Sequence, residues 1–157
     1  MPNATAAVTK TLVLDATPER AFRVFTAGFD TWWPRSHHTG EGDLVEAIIE
    51  PREGGRWYAK TTVGEEEWGR VLTWDPPHRL VLDWQLDSDF KYNADFHTDI
   101  EVRFVAGGDA RTRVEFEHRN LDRYGDKAAA HTAVLGSEGG WNGILDGYAG
   151  ELARNSA

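Results

Sequence analysis

The sequence predicts an α+β fold in which a curved antiparallel sheet of about seven strands wraps around a long C-terminal helix. Three observations carry this reading. Residues 42–119 read almost throughout as short β-rich runs separated by Gly/Pro turns. A helical stripe then follows, with Trp141, Leu145, Tyr148 and Leu152 at i, i+4, i+7 and i+11 on one face. An aromatic stripe of that size has to be buried, and the sheet is the surface available to bury it. A sheet curled around such a helix can leave a cavity between the two.

The elements follow in chain order. Residues 8–15 are β-rich and end where a helix begins. Thr17 suits the N-cap, Pro18 the first helical position, and Glu19 the positive end of the helix dipole. Ala21, Phe22 and Phe25 share a face of this helix, which runs to about Ala27. After Gly28, residues 29–34 read as a short second helical turn stopped by Pro34. Strands are then expected over 43–50, 56–63, 66–74, 79–86, 97–106 and 111–119. Turn chemistry separates them, notably Pro51–Gly55, Asp75-Pro76-Pro77-His78 and Gly107-Gly108-Asp109. A polar connection with two aromatics, Phe90 and Tyr92, joins the fourth and fifth of these strands.

Alternation assigns the faces. Thr112, Val114, Phe116 and His118 point to the core, opposite Arg113, Glu115 and Glu117. Leu80, Leu82 and Trp84 likewise oppose Val81, Asp83 and Gln85. The 66–74 run is ambiguous: Trp68, Arg70, Leu72 and Trp74 share one face, and the indoles favour turning it inward. That would bury Arg70 and require a partner for its charge. From Lys127 to Leu135 the chain is Ala-rich and helix-favouring, and Gly136–Gly140 interrupts it, with Ser137 placed to cap the last helix. Gly143, Gly147 and Gly150 each cost that helix about 1 kcal/mol of propensity relative to Ala, so its packing must support it.

Composition bounds the function. The 157 residues suit one domain, 1–157, with an ordered core of about 8–153. No cysteine is present, which excludes a disulfide framework, a thiolate zinc site and a cysteine nucleophile. The net charge of −9 argues against nucleic-acid binding and against an anionic lipid surface. No apolar run approaches the roughly 20 residues of a membrane helix, and the N-terminus lacks a secretion-signal layout. A cytoplasmic location, without membrane insertion, is the expectation. No cofactor is implied.

The order of elements resembles the helix-grip fold of the SRPBCC (START-like) superfamily, and within it the AHSA-type branch, named for activators of the heat-shock chaperone ATPase. The residues that carry the resemblance are Thr17–Phe22, Glu50–Trp57, Gly69–Trp84 and Gly139–Leu145, and the match spans about residues 8–153. What the resemblance implies is a cavity between sheet and terminal helix, in a superfamily of lipid carriers, hormone receptors, polyketide cyclases and co-chaperones. It supplies no shared catalytic motif, so it leaves function open.

The residues themselves offer three readings. The first is a small hydrophobic or amphipathic ligand held in the cavity, since pockets are lined mainly by aromatic and apolar side chains. Trp57, Trp84, Phe116, His118, Trp141, Leu145 and Tyr148 would line it, with Trp32 and Trp33 near the mouth. The second is a co-chaperone or other protein-interaction module, with a chaperone partner or a homodimer. The third is a cyclase or hydrolase in which His118 is the catalytic residue, as general acid or base. The competing reading of His118 is a core histidine bonded to the backbone or the helix. His37-His38, with Glu41 and Asp43 nearby, invites a metal site, but adjacent residues in an extended segment diverge, so a loop at the cavity rim is the better reading. No metal site is expected. His97 is expected to be solvated beside Asp99, Glu101 and Arg103.

Overall fold

The computed structural model describes residues 7–34, 37 and 42–154. Its strands are β1 (Val8–Leu14), β2 (Leu44–Ile49), β3 (Arg56–Thr61), β4 (Gly64–Asp75), β5 (Arg79–Trp84), β6 (Thr98–Ala106) and β7 (Thr112–Arg119). Helices α1 (Pro18–Thr26) and α2 (Phe29–Trp32) follow β1. A 3-10 segment (Leu121–Lys127), α3 (Ala128–Leu135) and α4 (Trp141–Arg154) follow β7. The strands form one seven-stranded antiparallel sheet in the order β1-β7-β6-β5-β4-β3-β2, so the N-terminal strand closes on the last one. This is the helix-grip arrangement, with the sheet curled around α4.

Local chemistry explains the helix starts. The Thr17 hydroxyl accepts from the Arg20 N–H at 3.2 Å, and Pro18 takes the first turn, where no N–H is needed. Ala21, Phe22 and Phe25 are buried, and Phe22 and Phe25 pack edge-on against Phe104 of β6. The terminal helix is latched from both sides. Tyr148 donates its hydroxyl proton to the Ala21 carbonyl at 2.7 Å, and Arg20 reaches the Leu152 carbonyl at 2.9 Å. Lys10, on edge strand β1, bonds the Asn142 carbonyl at 3.2 Å and pairs with Asp146 at 3.0 Å. Trp141, Leu145, Tyr148 and Leu152 are all buried on the sheet side, as their spacing predicts.

Strand β4 departs from simple alternation. Register shifts fall between the Trp57 and Tyr58 pairings with β3, and between Val71 and Thr73 in the pairing with β5. Each shift inserts a residue and resets which side chains face inward. Trp68 is therefore buried and Val71 faces Leu82, whereas Arg70 is exposed and sits opposite Asp83 on the outer face. The expected buried charge at Arg70 does not arise, and Leu72 points outward too. Gly69 is fixed by closeness: a Cβ there would lie 1.6 Å from the Asp83 carbonyl oxygen.

One further expectation changes. Ser137 donates to the Val134 carbonyl at 2.7 Å, so it closes the end of α3 and does not cap α4. His97 is exposed, as expected, and its Nδ1 also meets Asp83 Oδ2 at 2.6 Å. On the outer face, Glu101 is held by Arg79, Arg119 and Arg103. Burial alone would raise its carboxyl, but these three bonds hold it down at about 2.

Candidate functional site

Most of the space between α4 and the sheet is filled. Phe25, Trp32 and Tyr148 interlock at ring-centroid distances of 4.9–5.2 Å, and Trp57 sits between Trp68 at 5.8 Å and Trp84 at 5.6 Å. A pocket of about 320 Å³ remains at the N-terminal end of α4. It is lined by Trp33, His37, Trp68, Trp84, Leu86, Phe90, Val134, Leu135, Gly139, Gly140, Trp141 and Ile144. The size lies at the low end of the roughly 300–1,000 Å³ of ligand pockets. None of these side chains is a carboxylate, a lysine or an arginine.

Each wall is set by a different element. Trp33 follows α2 and donates its indole N–H to the His37 carbonyl at 2.6 Å. The His37 Nε2–H in turn donates to the Gly139 carbonyl at 2.5 Å, tying this segment to the turn before α4. That turn is tight: a Cβ on Gly143 would lie 1.9 Å from the Glu138 carbonyl oxygen. Trp84, at the end of β5, donates its indole N–H to the Tyr124 hydroxyl at 3.1 Å, and Tyr124 donates to the Leu86 carbonyl at 2.8 Å. Phe90 comes from the 85–97 connection, where Asp87 Oδ1 accepts from the N–H groups of Asp89 and Lys91. Its backbone is left-handed (φ 58°), and its ring packs on His131 at 5.0 Å.

Trp141 opens α4 and faces Trp33, Trp84 and Phe116 at 5.8, 5.5 and 4.8 Å. Behind it stands His118, fully buried. Trp141 donates its indole N–H to His118 Nδ1 at 3.0 Å. The Thr98 hydroxyl donates to the Trp84 carbonyl at 3.1 Å, so it accepts from His118 Nε2–H at 2.8 Å. The chain of bonds requires a neutral ring. Burial agrees, pushing the imidazole down to about 3, with a smaller push from His131. His131 is itself lowered by burial, against the opposing carboxylates of Asp87 and Asp89.

Of the residues named from sequence, Trp33, Trp84 and Trp141 line the pocket together. Trp32, Trp57, Phe116, His118, Leu145 and Tyr148 are buried in the packed core and are not part of the lining. His118 stands behind the pocket wall, bonded to Trp141 and packed on Trp84 at 5.1 Å. Trp68 joins the lining because the β4 bulge leaves it inward, and Ile144 lies one helical turn from Trp141. Phe90, Leu86, Val134 and Leu135 belong to a connection and a helix end, where no periodicity marks a wall. Of the His37, His38, Glu41 and Asp43 cluster, His38 and Glu41 lie outside the described residues. Among the described residues no group of three or more His, Cys, Asp or Glu could hold a metal, and no helix is long and apolar enough to cross a membrane.

Comparison with known proteins gives the following. The family model described as "Activator of Hsp90 ATPase homolog 1-like protein" matches residues 15–152. No curated protein matches the chain. Among solved structures, the chain is similar to an anthrahydroquino-γ-pyrone synthase, Txn09, at 39% identity and a TM-score of 0.65, covering 96% of this chain and 99% of that one. It is similar to CalC, a self-sacrificing resistance protein from Micromonospora echinospora, at 31% identity and a TM-score of 0.73, covering 97% of each chain. An Hsp90 activator from Plasmodium falciparum is similar in fold, at 20% identity and a TM-score of 0.51 over 73% of each chain.

Proposed function

We propose, from the premise that this chain belongs to the activator of Hsp90 ATPase homolog 1-like family, that it binds a small hydrophobic or amphipathic molecule in the pocket at the head of α4. One observation carries this reading. Four indoles, those of Trp33, Trp68, Trp84 and Trp141, converge with Phe90 on one pocket whose described lining residues include no lysine, arginine or carboxylate. Such walls favour a flat ring system, held by stacking and by desolvation. The similarity to the synthase Txn09, at 39% identity, supports a small-molecule role over a chaperone role, because the Hsp90-activator similarity stands at 20% identity and speaks for the fold alone.

His118 enters as a positioning residue in this proposal. With both ring nitrogens engaged, by Thr98 and Trp141, it holds the Trp141 indole against the ligand and transfers no proton. The ordered core as one domain and a cytoplasmic setting complete the reading.

The test is a tryptophan-fluorescence titration with xanthone, a neutral tricyclic probe. Saturable quenching is expected. Val134 is half exposed and lines the pocket, so Val134→Trp fills the space without disturbing the core and should weaken xanthone at least about tenfold. Quenching that is linear, or that Val134→Trp leaves unchanged, would remove the pocket as the site.

A further inference from the structure

Resting on that reading, the donor inventory of the pocket says more about the ligand than its apolar walls do. Three of the four lining indoles have their N–H committed to protein acceptors. Trp33 donates to the His37 carbonyl, Trp84 to the Tyr124 hydroxyl and Trp141 to His118 Nδ1. The fourth does not: Trp68 is 2% exposed and its Nε1 is buried with no hydrogen-bond partner. Buried polar groups in native structures are nearly always paired, and solvent does not reach this one to compensate. Trp68 is a lining residue whose donor is covered in this packing, so a ligand that parts its contacts can supply the missing acceptor.

The neighbours of Trp68 do not supply one. Its ring lies 5.3 Å from Trp33, tilted by 44°, and 5.8 Å from Trp57, nearly perpendicular at 87°. The Trp57 indole N–H is a second buried donor without a partner, and Trp57 is outside the lining. In an edge-to-face pair only one ring presents its edge to the other's face, so contact between the two leaves at least one N–H unmet. Trp33 is a side chain on a short segment, and its tilted contact with Trp68 is the contact a flat ligand would part.

We propose that the ligand is an uncharged aromatic carbonyl compound whose oxygen accepts the Trp68 indole N–H. A quinone, a pyrone or an aryl ketone has the needed chemistry: a flat ring for the indole walls, a strong acceptor at its edge, and no charge to strand among them. A hydrocarbon of the same shape would leave Trp68 unmet. An anionic ligand would find no lysine or arginine among the described lining residues.

The experiment compares 9-fluorenone with fluorene, two flat tricyclic frames that differ by one carbonyl oxygen. Each is titrated into the full chain while the indole Nε1–H resonances are followed by NMR. The expected result is tighter binding of fluorenone by about tenfold, with the Trp68 resonance moving downfield for fluorenone and not for fluorene. Trp68→Phe should remove that preference, so that fluorenone and fluorene bind the variant with equal affinity; the wild-type resonances alone decide the matter if this variant does not fold. Equal affinities with an unmoved Trp68 resonance would overturn the acceptor assignment while leaving the pocket standing. Binding of neither compound would overturn the pocket itself, and the assignment with it.

Discussion

At position 118 a histidine is held neutral by two hydrogen bonds that only the neutral ring can make together. Nδ1 accepts from Trp141 and Nε2–H donates to Thr98, so a proton added at Nδ1 would break the tie to the helix. Folding therefore competes with protonation. Below pH 6.5 the unfolded chain takes up a proton at this position that the folded chain refuses until about pH 3. Stability should thus fall with pH in that window, by up to about 1.4 kcal/mol per pH unit from this group. His131 adds to the trend, while Asp83, raised by burial despite its bond to His97, opposes it. Comparing urea midpoints of the wild type and His118→Gln isolates the contribution, and an identical pH slope in both would contradict it. Removing the donor is the complementary change. Trp141→Phe leaves Nδ1 buried without a partner and should cost about 1–3 kcal/mol in the same assay at pH 7.

The C-terminal helix shows how glycines at similar spacing do different work. Gly143 sits where a Cβ would strike the Glu138 carbonyl oxygen at 1.9 Å, so it is required by the turn from α3. Gly147 meets nothing nearer than the Trp32 carbonyl oxygen at 3.6 Å, an ordinary contact. Gly143→Ala should therefore destabilise by about 2–4 kcal/mol, and Gly147→Ala should be neutral or stabilise by up to about 1 kcal/mol. Thermal melts of the two variants decide this, and equal melting points would contradict the distinction. The sequence could not separate these positions, because helical propensity treats all glycines alike and the decisive neighbour is a carbonyl in the preceding turn. Strand β4 illustrates the same limit. Its composition marks a strand, but two register shifts decide that Trp68 faces in and Arg70 faces out, and bulges leave no trace in an alternation count. Where no bulge intervenes, as in β5 and β7, alternation placed Trp84, Phe116 and His118 on the inner face, where the structure has them buried.

At the scale of the molecule, the order of elements and the buried stripe of α4 were legible because hydrophobic period and turn chemistry are local signals. The pocket was legible only in part. Trp33, Trp84 and Trp141 could be named from their aromatic character, yet the empty space is bounded as much by Phe90, Leu135 and the Gly139-Gly140 turn, which are brought there by connections. Six of the expected lining residues pack the core instead, because a curled sheet this rich in indoles fills most of its own interior. A ligand that enters the remaining space stabilises the folded state by mass action. At a free concentration one hundred times Kd the gain should be about 2.7 kcal/mol, seen as a rise in the thermal midpoint with xanthone.

The seven tryptophans also provide the most direct test of the binding site, because they report on different regions. Trp33, Trp68, Trp84 and Trp141 line the proposed pocket, whereas Trp74 belongs to a separate groove beside α1 with Phe22, Pro76 and Pro77. Indole N–H resonances followed during a xanthone titration should shift for the four lining residues and hold still for Trp74. A shift at Trp74 with the other four unmoved would place the ligand at the wrong end of the sheet and contradict the account.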